Sequence, residues 1–254
     1  MNCCLTSTSP EERGASAKPS IQPIYVTSEE GAGNTTNSAA AAAAAKKAVY
    51  PSMYNGHFSK LLISHEQIKE RTKAIATLLS QQYDTYTKTQ PLVLVCILKG
   101  SSPFYNMLCS ELSSCSTPYI TEFIRVKSYV GNTSSGNVKM YHVDMPKTIT
   151  GRNVIVVEDI VDTGMTLSAI MPKFYDCSPE SVQVCTLLEK RLDNHRNQNG
   201  GDGSDDKIVP KYVGFSIPDE FVIGFGLDYN EMYRDLRDIW VLGQKGIDFG
   251  GYSD

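Results

Sequence analysis

The 254-residue sequence lacks the features of several large classes of protein. It contains no run of about 18 apolar residues, the length that a membrane-spanning helix requires. Its first residues, MNCCLTSTSPEERG, also lack the apolar segment of a secretory signal. We therefore expect a cytoplasmic protein with no membrane partner. The 24 basic residues do not outnumber the 28 acidic ones, so there is no bulk attraction to a phosphate backbone and we expect no nucleic-acid partner.

Patterns that hold metals or form disulfides are also missing. The seven cysteines are odd in number and form no C-x-x-C pair, and most of the later ones lie in apolar runs. Cysteines in such runs behave as small buried hydrophobic residues, so we expect reduced thiols. The four histidines are scattered without the spacing of metal ligands, and we assign none of them a catalytic role.

The N-terminal part of the chain has almost no large apolar residues. Residues 1–48 are dominated by Ser, Thr, Gly, Ala and Pro and include seven consecutive alanines at 39–45. Such a segment buries too little apolar surface to offset the entropy lost on ordering it. We therefore predict a disordered, low-complexity extension over residues 1–48 and a single domain over residues 49–254.

The rest of the sequence alternates between strand and helix patterns. Ser64–Gln67 fits the capping box S-x-x-Q that begins a helix. Pro91–Leu98 (PLVLVCIL) is a short, valine-rich apolar run, typical of a strand that is buried on both faces, and a second helix pattern follows it. Further strands are predicted at Tyr119–Val126, Val154–Val157, Val182–Leu188, Tyr212–Ile217 and Val222–Gly226. The alternation predicts an α/β fold with a largely parallel sheet.

Two polar stretches interrupt this alternation. Gly131–Val138 (GNTSSGNV) and Asp193–Asp206 (DNHRNQNGGDGSDD) have little to bury and are predicted to be mobile surface loops. Loops of this kind are either lids or tolerated insertions. We interpret the first one as a lid that closes over a reacting centre and excludes water.

The segment Val154–Leu167 (VIVVEDIVDTGMTL) carries the most chemical information. Its apolar strand delivers Glu158 and Asp159 to the carboxyl end, where open α/β sheets bind their ligands. Residues Asp162–Thr166 then form a turn into a helix, whose free N–H groups and dipole favour an anion such as phosphate. Taken alone, the same residues also fit an ordinary helix capped by Asp162.

The pattern of four hydrophobic residues, two acids, two apolar residues and D-T-G-x-T resembles the phosphoribosyl-pyrophosphate motif of the type I phosphoribosyltransferases. Other segments resemble, in the same order, signatures of the hypoxanthine-guanine phosphoribosyltransferases: Leu98–Gly100, Arg125–Tyr129, Leu187–Arg191, Val213–Val222 and Gly226–Asp235. This resemblance implies a mainly parallel central sheet flanked by helices, with a small hood subregion and a mobile lid loop. It also implies a homodimer or homotetramer and a Mg²⁺-dependent reaction, in which phosphoribosyl pyrophosphate and a 6-oxopurine base give a nucleoside monophosphate and pyrophosphate.

The resemblance implies a role for each residue of the site. Asp162 would accept a proton near purine N7 as the catalytic base. Glu158 and Asp159 would bind the ribose hydroxyls and Mg²⁺, and Asp228 would bind a second ion. The remaining substrate contacts would be Thr163, Gly164, Met165 and Thr166 for the 5′-phosphate, Lys99, Gly100, Ser128, Tyr129 and Arg234 for the pyrophosphate, and Lys190, Phe221 and Val222 for the base.

Lys190 bears on the choice of base. An ammonium donates to the carbonyl at purine position 6 but meets the amino group of adenine donor to donor. The expected substrates are therefore hypoxanthine and guanine, which give IMP and GMP. A xanthine-preferring relative is an alternative, as is a non-catalytic regulator that senses phosphoribosyl pyrophosphate. Met165 departs from the family pattern, which often has lysine there, and we expect weaker phosphate binding as a result.

Overall fold

The computed structural model describes residues 21–27, 49–87, 90–133, 136–142, 144–192 and 208–250. The strands are β1 (Ile24–Tyr25), β2 (Phe58–Ile63), β3 (Leu92–Leu98), β4 (Tyr119–Arg125), β5 (Lys127–Thr133), β6 (Gly136–His142), β7 (Asn153–Val161), β8 (Ser181–Arg191), β9 (Tyr212–Pro218), β10 (Val222–Ile223) and β11 (Ile239–Leu242). The helices are α1 (His65–Thr87), α2 (Ser102–Ser114), α3 (Met165–Asp176) and α4 (Gln244–Phe249), with 3-10 turns at Ser52–Tyr54 and Lys147–Ile149.

The main sheet has six strands in the order β1-β9-β8-β7-β3-β4, and all of its pairings are parallel. Side chains of the central strand β3 alternate between two cores. Leu94 and Cys96 pack with residues of α1 and α2, whereas Val93 and Val95 pack with residues of α3. Burial on both faces explains the unbroken apolar run in the sequence. The predicted α/β class and the parallel sheet are confirmed.

Helix α1 begins at the predicted capping box. The Ser64 N–H donates to the side-chain oxygen of Gln67 over 2.8 Å, and the Gln67 N–H points back to Ser64 Oγ over 3.4 Å. These bonds satisfy two amides that a helix start otherwise leaves unpaired. Ile68, Ile75 and Leu79 of this helix are completely buried.

A smaller antiparallel sheet, β10-β11-β2, forms the expected hood. It is joined to an aromatic cluster that includes Tyr54, Tyr233 and Trp240. His57 is 2% exposed beside this cluster, and its Nδ1 lies 2.9 Å from the Tyr233 hydroxyl. The histidine is therefore part of a buried polar contact within the hood.

Several element boundaries differ from the sequence-based expectation. Val222–Gly226 was expected to be one strand, but β10 ends at Ile223 because Gly224 turns the backbone with φ of +96°. Most of Gly131–Val138, predicted as a loop, lies in an antiparallel hairpin formed by β5 and β6. Asp193–Asp206 lies outside the described residues. Strands β7 and β8 continue beyond their predicted ends and include residues of the site.

Residues 21–27 belong to the fold although they precede residue 49. Strand β1 pairs with the edge strand β9, and Val26 is 1% exposed. Two arginines fasten the segment, because Arg71 donates to the carbonyl of Gln22 and Arg191 donates to that of Val26. Excluding all of residues 1–48 was therefore wrong for this short piece. Its isolated apolar residues gain their partners only from the distant sheet edge, which composition does not reveal.

Two global expectations concern membrane spans and cysteines. Within the described ranges, no helix is both long and apolar enough to cross a bilayer. The five described cysteines are free thiols, and Cys96, Cys109 and Cys185 are buried. Burial raises the pKa of each of these three thiols, which keeps them protonated and unreactive.

Candidate active site

Two adjacent carboxylates lie near the carboxyl end of β7. Glu158 is 9% exposed and accepts a hydrogen bond of 3.0 Å from Ser101 Oγ, whereas Asp159 is half-buried and accepts the N–H of Ile160 at 2.8 Å. Both residues are inside the strand because β7 pairs with β8 as far as Val161. Successive residues of a strand point to opposite faces, so the two acids serve different surroundings.

Burial disfavours the ionised forms of the Glu158 and Asp159 carboxyls. It raises the pKa of Glu158 well above its usual value, and the neighbouring charge of Asp159 adds to this effect while Ser101 opposes it. Burial also raises the pKa of Asp159 to about 6, although backbone N–H donors and Arg234 lower it. A nearby cation would favour both ionised forms. The pair is therefore electrostatically suited to a positively charged ligand.

The turn after β7 leads into the N-terminus of α3. Gly164 precedes the helix with φ of +78°, a left-handed conformation that glycine adopts without steric cost. Gly164 has no side chain with which to cap the helix, and the Met165 N–H makes only a long contact of 3.5 Å with Thr163 Oγ1. The amides of the first turn of α3 can therefore bind a ligand. Residues 158–167 line a crevice of about 270 Å³ here. This lining includes Asp162, Thr163, Gly164, Met165 and Thr166.

Lys190 comes from the neighbouring strand β8 and meets the same turn. Its Nζ lies 3.3 Å from Asp162 Oδ2 and 3.2 Å from Asp219 Oδ1. The lysine side chain is 12% exposed, whereas the two aspartates are about half-exposed. A largely buried ammonium thus faces an accessible carboxylate beside the crevice.

Gly100 allows the loop after β3 to approach the acidic strand. A Cβ atom at this position would lie 1.7 Å from Asp159 Oδ2. The loop that follows β10 packs against the same point, because a Cβ on Gly226 would lie 2.0 Å from the carbonyl oxygen of Gly100. Both contacts are closer than any side chain tolerates. Gly100 therefore brings three segments of the site together.

Charged side chains from the loops around Gly100 and Gly226 form a network. Arg234 Nη2 lies 2.8 Å from Asp228 Oδ1 and 3.4 Å from Glu231 Oε2, and the same Glu231 oxygen lies 3.0 Å from Lys99 Nζ. The Arg234 Nη1 also donates to the carbonyl of Gly226 at 2.8 Å. The structure therefore brings Lys99 next to Asp228 and Arg234, which lie in one segment far from Lys99 in the sequence.

The predicted base-binding residues follow β9. Phe221 is 51% exposed, and the ring of Tyr229 meets it edge-on with centroids 5.5 Å apart. Val222 is buried and pairs with Val241 in the hood sheet. An exposed aromatic face held by a second ring suits the stacking of a flat base.

Ser128 and Tyr129 lie on β5, where they pair in register with Tyr141 and Met140. The structure describes only the backbone of these two residues. Their contact with pyrophosphate stays a prediction.

Sequence reasoning missed four residues that support the site. They are Ser101 beside Glu158, Asp219 beside Lys190, Tyr229 beside Phe221, and Glu231 between Lys99 and Arg234. Asp219, Tyr229 and Glu231 stand within the segments that resemble the family. Only their proximity in space distinguishes them from ordinary loop residues.

The carboxylates fit a hard divalent cation. Glu158, Asp159 and Asp228 offer oxygen ligands, which Mg²⁺ prefers, and the charge of Asp228 contributes to the raised pKa of Asp159. Both oxygens of Asp228 have partners, Arg234 and the Glu231 N–H, but each retains a second lone pair. Within the described part of the chain, no group of three or more His, Cys, Asp or Glu side chains is arranged so that it could hold a metal ion. Substrate oxygens would therefore have to supply the remaining ligands.

Comparison with known proteins identifies the class that this fold and site define. Residues 64–230 match the phosphoribosyl transferase domain family. The hypoxanthine-guanine phosphoribosyltransferase of Mus musculus is 35% identical over 202 residues, which cover 77% of this chain and 86% of the mouse protein. The enzyme of Homo sapiens is 34% identical with the same coverage.

A solved structure of similar shape agrees with these relatives. The hypoxanthine phosphoribosyltransferase of Trypanosoma cruzi, in complex with the product IMP, is 36% identical with a TM-score of 0.61. The match covers 75% of this chain and 97% of that one. The chain therefore belongs to the hypoxanthine-guanine phosphoribosyltransferase family of phosphoribosyltransferases, as its sequence motifs predict.

Proposed function

We propose that this protein is a purine salvage enzyme that transfers the 5-phosphoribosyl group from phosphoribosyl pyrophosphate to N9 of hypoxanthine or guanine. The products are IMP or GMP and pyrophosphate. The observation that carries the proposal is the 3.3 Å contact between Lys190 Nζ and Asp162 Oδ2 at the mouth of the phosphate turn. A group that donates to a 6-oxo carbonyl thus lies beside a group that can accept a purine proton.

The base would bind against Phe221 with its carbonyl oxygen replacing a carboxylate as a partner of Lys190. Adenine carries an amino group at that position, so its N–H donors would face the ammonium, and the base would offer Lys190 no acceptor there. Asp162 would then hold the proton near N7 while N9 attacks the anomeric carbon of the ribose. The backbone of Val222 lies next along the chain and would meet the edge of the base.

The sugar diphosphate would bind across two parts of the site. The 5′-phosphate would lie at the N-terminus of α3, where the amides and the hydroxyls of Thr163 and Thr166 donate to its oxygens. Glu158 and Asp159 would accept hydrogen bonds from the ribose hydroxyls. Lys99 and Arg234 would meet the pyrophosphate, whose charge requires cationic donors.

Mg²⁺ is the cofactor that fits this donor set. When bound, it neutralises part of the charge that develops on the departing pyrophosphate. Glu158 and Asp159 would hold one ion, and Asp228 would hold a second one. The raised pKa values of Glu158 and Asp159 support this assignment, because a bound cation offsets the cost of ionising two neighbouring buried carboxyls.

The working assembly would be a homodimer or homotetramer located in the cytoplasm. A solved structure that is 37% identical was studied for the role of the C-terminal region in the oligomeric state and activity of the Trypanosoma cruzi enzyme. Sedimentation analysis of this protein tests the assembly directly. A monomer at all concentrations would contradict it.

One assay tests the proposed activity. The protein is incubated with Mg²⁺, phosphoribosyl pyrophosphate and each of hypoxanthine, guanine, xanthine and adenine in separate reactions, and the nucleotide formed is quantified. We expect IMP and GMP and no AMP. Nucleotide formed mainly from xanthine would identify a xanthine-preferring relative. Binding of phosphoribosyl pyrophosphate without nucleotide from any base would identify a regulator.

A further inference from the structure

The turn between Asp228 and Arg234 has an unusual backbone. Tyr229 and Met232 exchange two hydrogen bonds of 3.2 and 3.0 Å, and the two residues between them, Asn230 and Glu231, have φ of +49° and +62°. Two left-handed residues in succession define a type I′ turn, for which Asn followed by Gly is the preferred sequence. Glutamate at the glycine position is sterically unfavourable. Strained backbone conformations of this kind cluster at functional sites, so the strain at Glu231 indicates a functional role for its side chain.

The side chain of Glu231 links two cations of the site. One oxygen, Oε2, lies 3.0 Å from Lys99 Nζ and 3.4 Å from both Nε and Nη2 of Arg234. One carboxylate oxygen of Glu231 is therefore shared between the two cations in this structure.

The two cations depend on Glu231 to different degrees. Arg234 has two further anchors, the Asp228 carboxylate at 2.8 Å and the carbonyl of Gly226 at 2.8 Å. Lys99 is half-exposed and has its ion pair with Glu231. Removing the Glu231 charge would consequently leave Arg234 in place. The position of Arg234 therefore does not depend on its contact with Glu231.

An oxygen of pyrophosphate would need the same two cations. A carboxylate oxygen held between an ammonium and a guanidinium occupies the position in which a phosphate oxygen forms its charge-assisted hydrogen bonds. We propose that Glu231 is a positioning residue that keeps Lys99 and Arg234 paired in the free enzyme and competes with pyrophosphate for them. This inference rests on the proposed function, which assigns both cations to the pyrophosphate.

Competition of this kind weakens the binding of the leaving group. Each time pyrophosphate departs, Glu231 replaces its oxygen and prevents two bare positive charges from facing each other. The enzyme therefore releases pyrophosphate faster than it would with the cations unpaired. Glu231 acts on binding and release, and it has no role in the proton transfer at the base.

The test is the substitution Glu231→Gln, which keeps the length of the side chain and removes its charge. Titration calorimetry measures the dissociation constant of pyrophosphate in the presence of Mg²⁺, and kinetics measure its inhibition constant against phosphoribosyl pyrophosphate. Because both contacts are partly exposed, we expect each constant to fall by about 3–10-fold. The dissociation constant of IMP alone should not change. Weaker or unchanged binding of pyrophosphate would overturn the proposal.

Two further variants exclude trivial explanations. Asp235→Asn removes the same charge from the same loop, but Asp235 accepts a hydrogen bond from Tyr54 rather than from the two cations. Its pyrophosphate affinity should match that of the wild-type protein. Glu231→Gly relieves the left-handed backbone and should tighten pyrophosphate binding as Glu231→Gln does. If Glu231→Gly stabilises the protein without changing this affinity, Glu231 is only a turn residue.

The two proposals fail in different ways. If the wild-type protein forms no nucleotide from any purine base, the proposed function is wrong. If the wild-type protein forms nucleotide and Glu231→Gln binds pyrophosphate no more tightly, only the role of Glu231 is wrong.

Discussion

Lys190 and Asp162 stand at the ends of neighbouring parallel strands, and their charged atoms are 3.3 Å apart. The contact joins the residue proposed to choose the base to the residue proposed to take its proton. A second carboxylate, that of Asp219, lies 3.2 Å from the same Lys190 ammonium. The ammonium is consequently fixed before any base arrives.

Replacing Asp162 by Asn should lower kcat with hypoxanthine by about 10²–10⁴-fold, because an amide cannot accept the proton. Steady-state kinetics at saturating phosphoribosyl pyrophosphate measure the effect. Asp219→Asn is the matched control, since it also removes a carboxylate from Lys190 but no proton acceptor, and its loss of kcat should be much smaller. Normal turnover of Asp162→Asn would remove this residue from the mechanism.

Replacing Lys190 by Gln should weaken the discrimination against adenine. A glutamine amide can donate to a carbonyl or accept from an amino group, whereas the ammonium can only donate. We expect the ratio of kcat/KM for hypoxanthine to that for adenine to fall by about tenfold or more. Competition between the two bases in one reaction gives this ratio directly. An unchanged ratio would mean that another group reads position 6.

Adding a methyl group at Gly100 should displace the carboxylate of Asp159. The new Cβ would lie 1.7 Å from Asp159 Oδ2, so Gly100→Ala should raise the KM for phosphoribosyl pyrophosphate by about tenfold or more through loss of a positioned substrate contact. Ser102→Ala, which removes only a local hydrogen bond to the carbonyl of Lys99, provides the control. Equal KM values in both variants would contradict the packing role of Gly100.

Restoring a cation near the phosphate turn should strengthen substrate binding. Met165 is 59% exposed at the start of α3, so Met165→Lys places its charge in water and should lower the KM for phosphoribosyl pyrophosphate by only about 2–5-fold. Met165→Leu changes the shape by a similar amount without adding charge and should leave KM unaltered. If the lysine variant also keeps the wild-type KM, the methionine does not weaken phosphate binding.

Stability should fall as the solution becomes acidic, in part because of His57. Burial, followed by the charge of Lys245, lowers the pKa of His57 below its usual 6.5. The unfolded chain then binds more protons than the folded one, so this contribution is complete above about pH 6.5 and is lost as the pH falls towards the lowered value. Denaturant unfolding measures the free energy of unfolding at about pH 8 and about pH 5.5. Between these two pH values, the free energy of unfolding should fall more for the wild-type protein than for His57→Gln. Equal losses would contradict it.

Local sequence signals predicted the fold well where they are strong. The capping box at Ser64 and the apolar runs of β3 and β7 depend only on neighbouring residues, so each was visible in the sequence. The far end of β7 was not, because its pairing with Leu188 and Glu189 of β8 is a long-range property that two acidic residues conceal. The same limit explains β1, whose register is set by Phe215 and Ser216 of a distant strand.

The site was predictable where a motif carries its own chemistry. The acids and the phosphate turn occupy one segment, and the family resemblance supplied Lys99, Lys190 and Arg234. The role of Glu231 could not be predicted, because its contacts depend on a left-handed backbone conformation that a glutamate in the sequence does not indicate. The role of Asp219 could not be predicted for a similar reason, since its partner lies on another strand.

The short strand β1 has a consequence for the solubility of the protein. Without it, β9 would be the outermost strand on that side, and part of its row of amides and carbonyls would be open to pairing with another molecule. Arg191 donates to the carbonyl of Val26, directly after β1, and to the carbonyl of Ser216 on β9. One guanidinium therefore links the edge strand to its neighbour. A version of the protein shortened to begin at residue 49 would keep every residue assigned to catalysis and become prone to aggregate through its uncovered sheet edge.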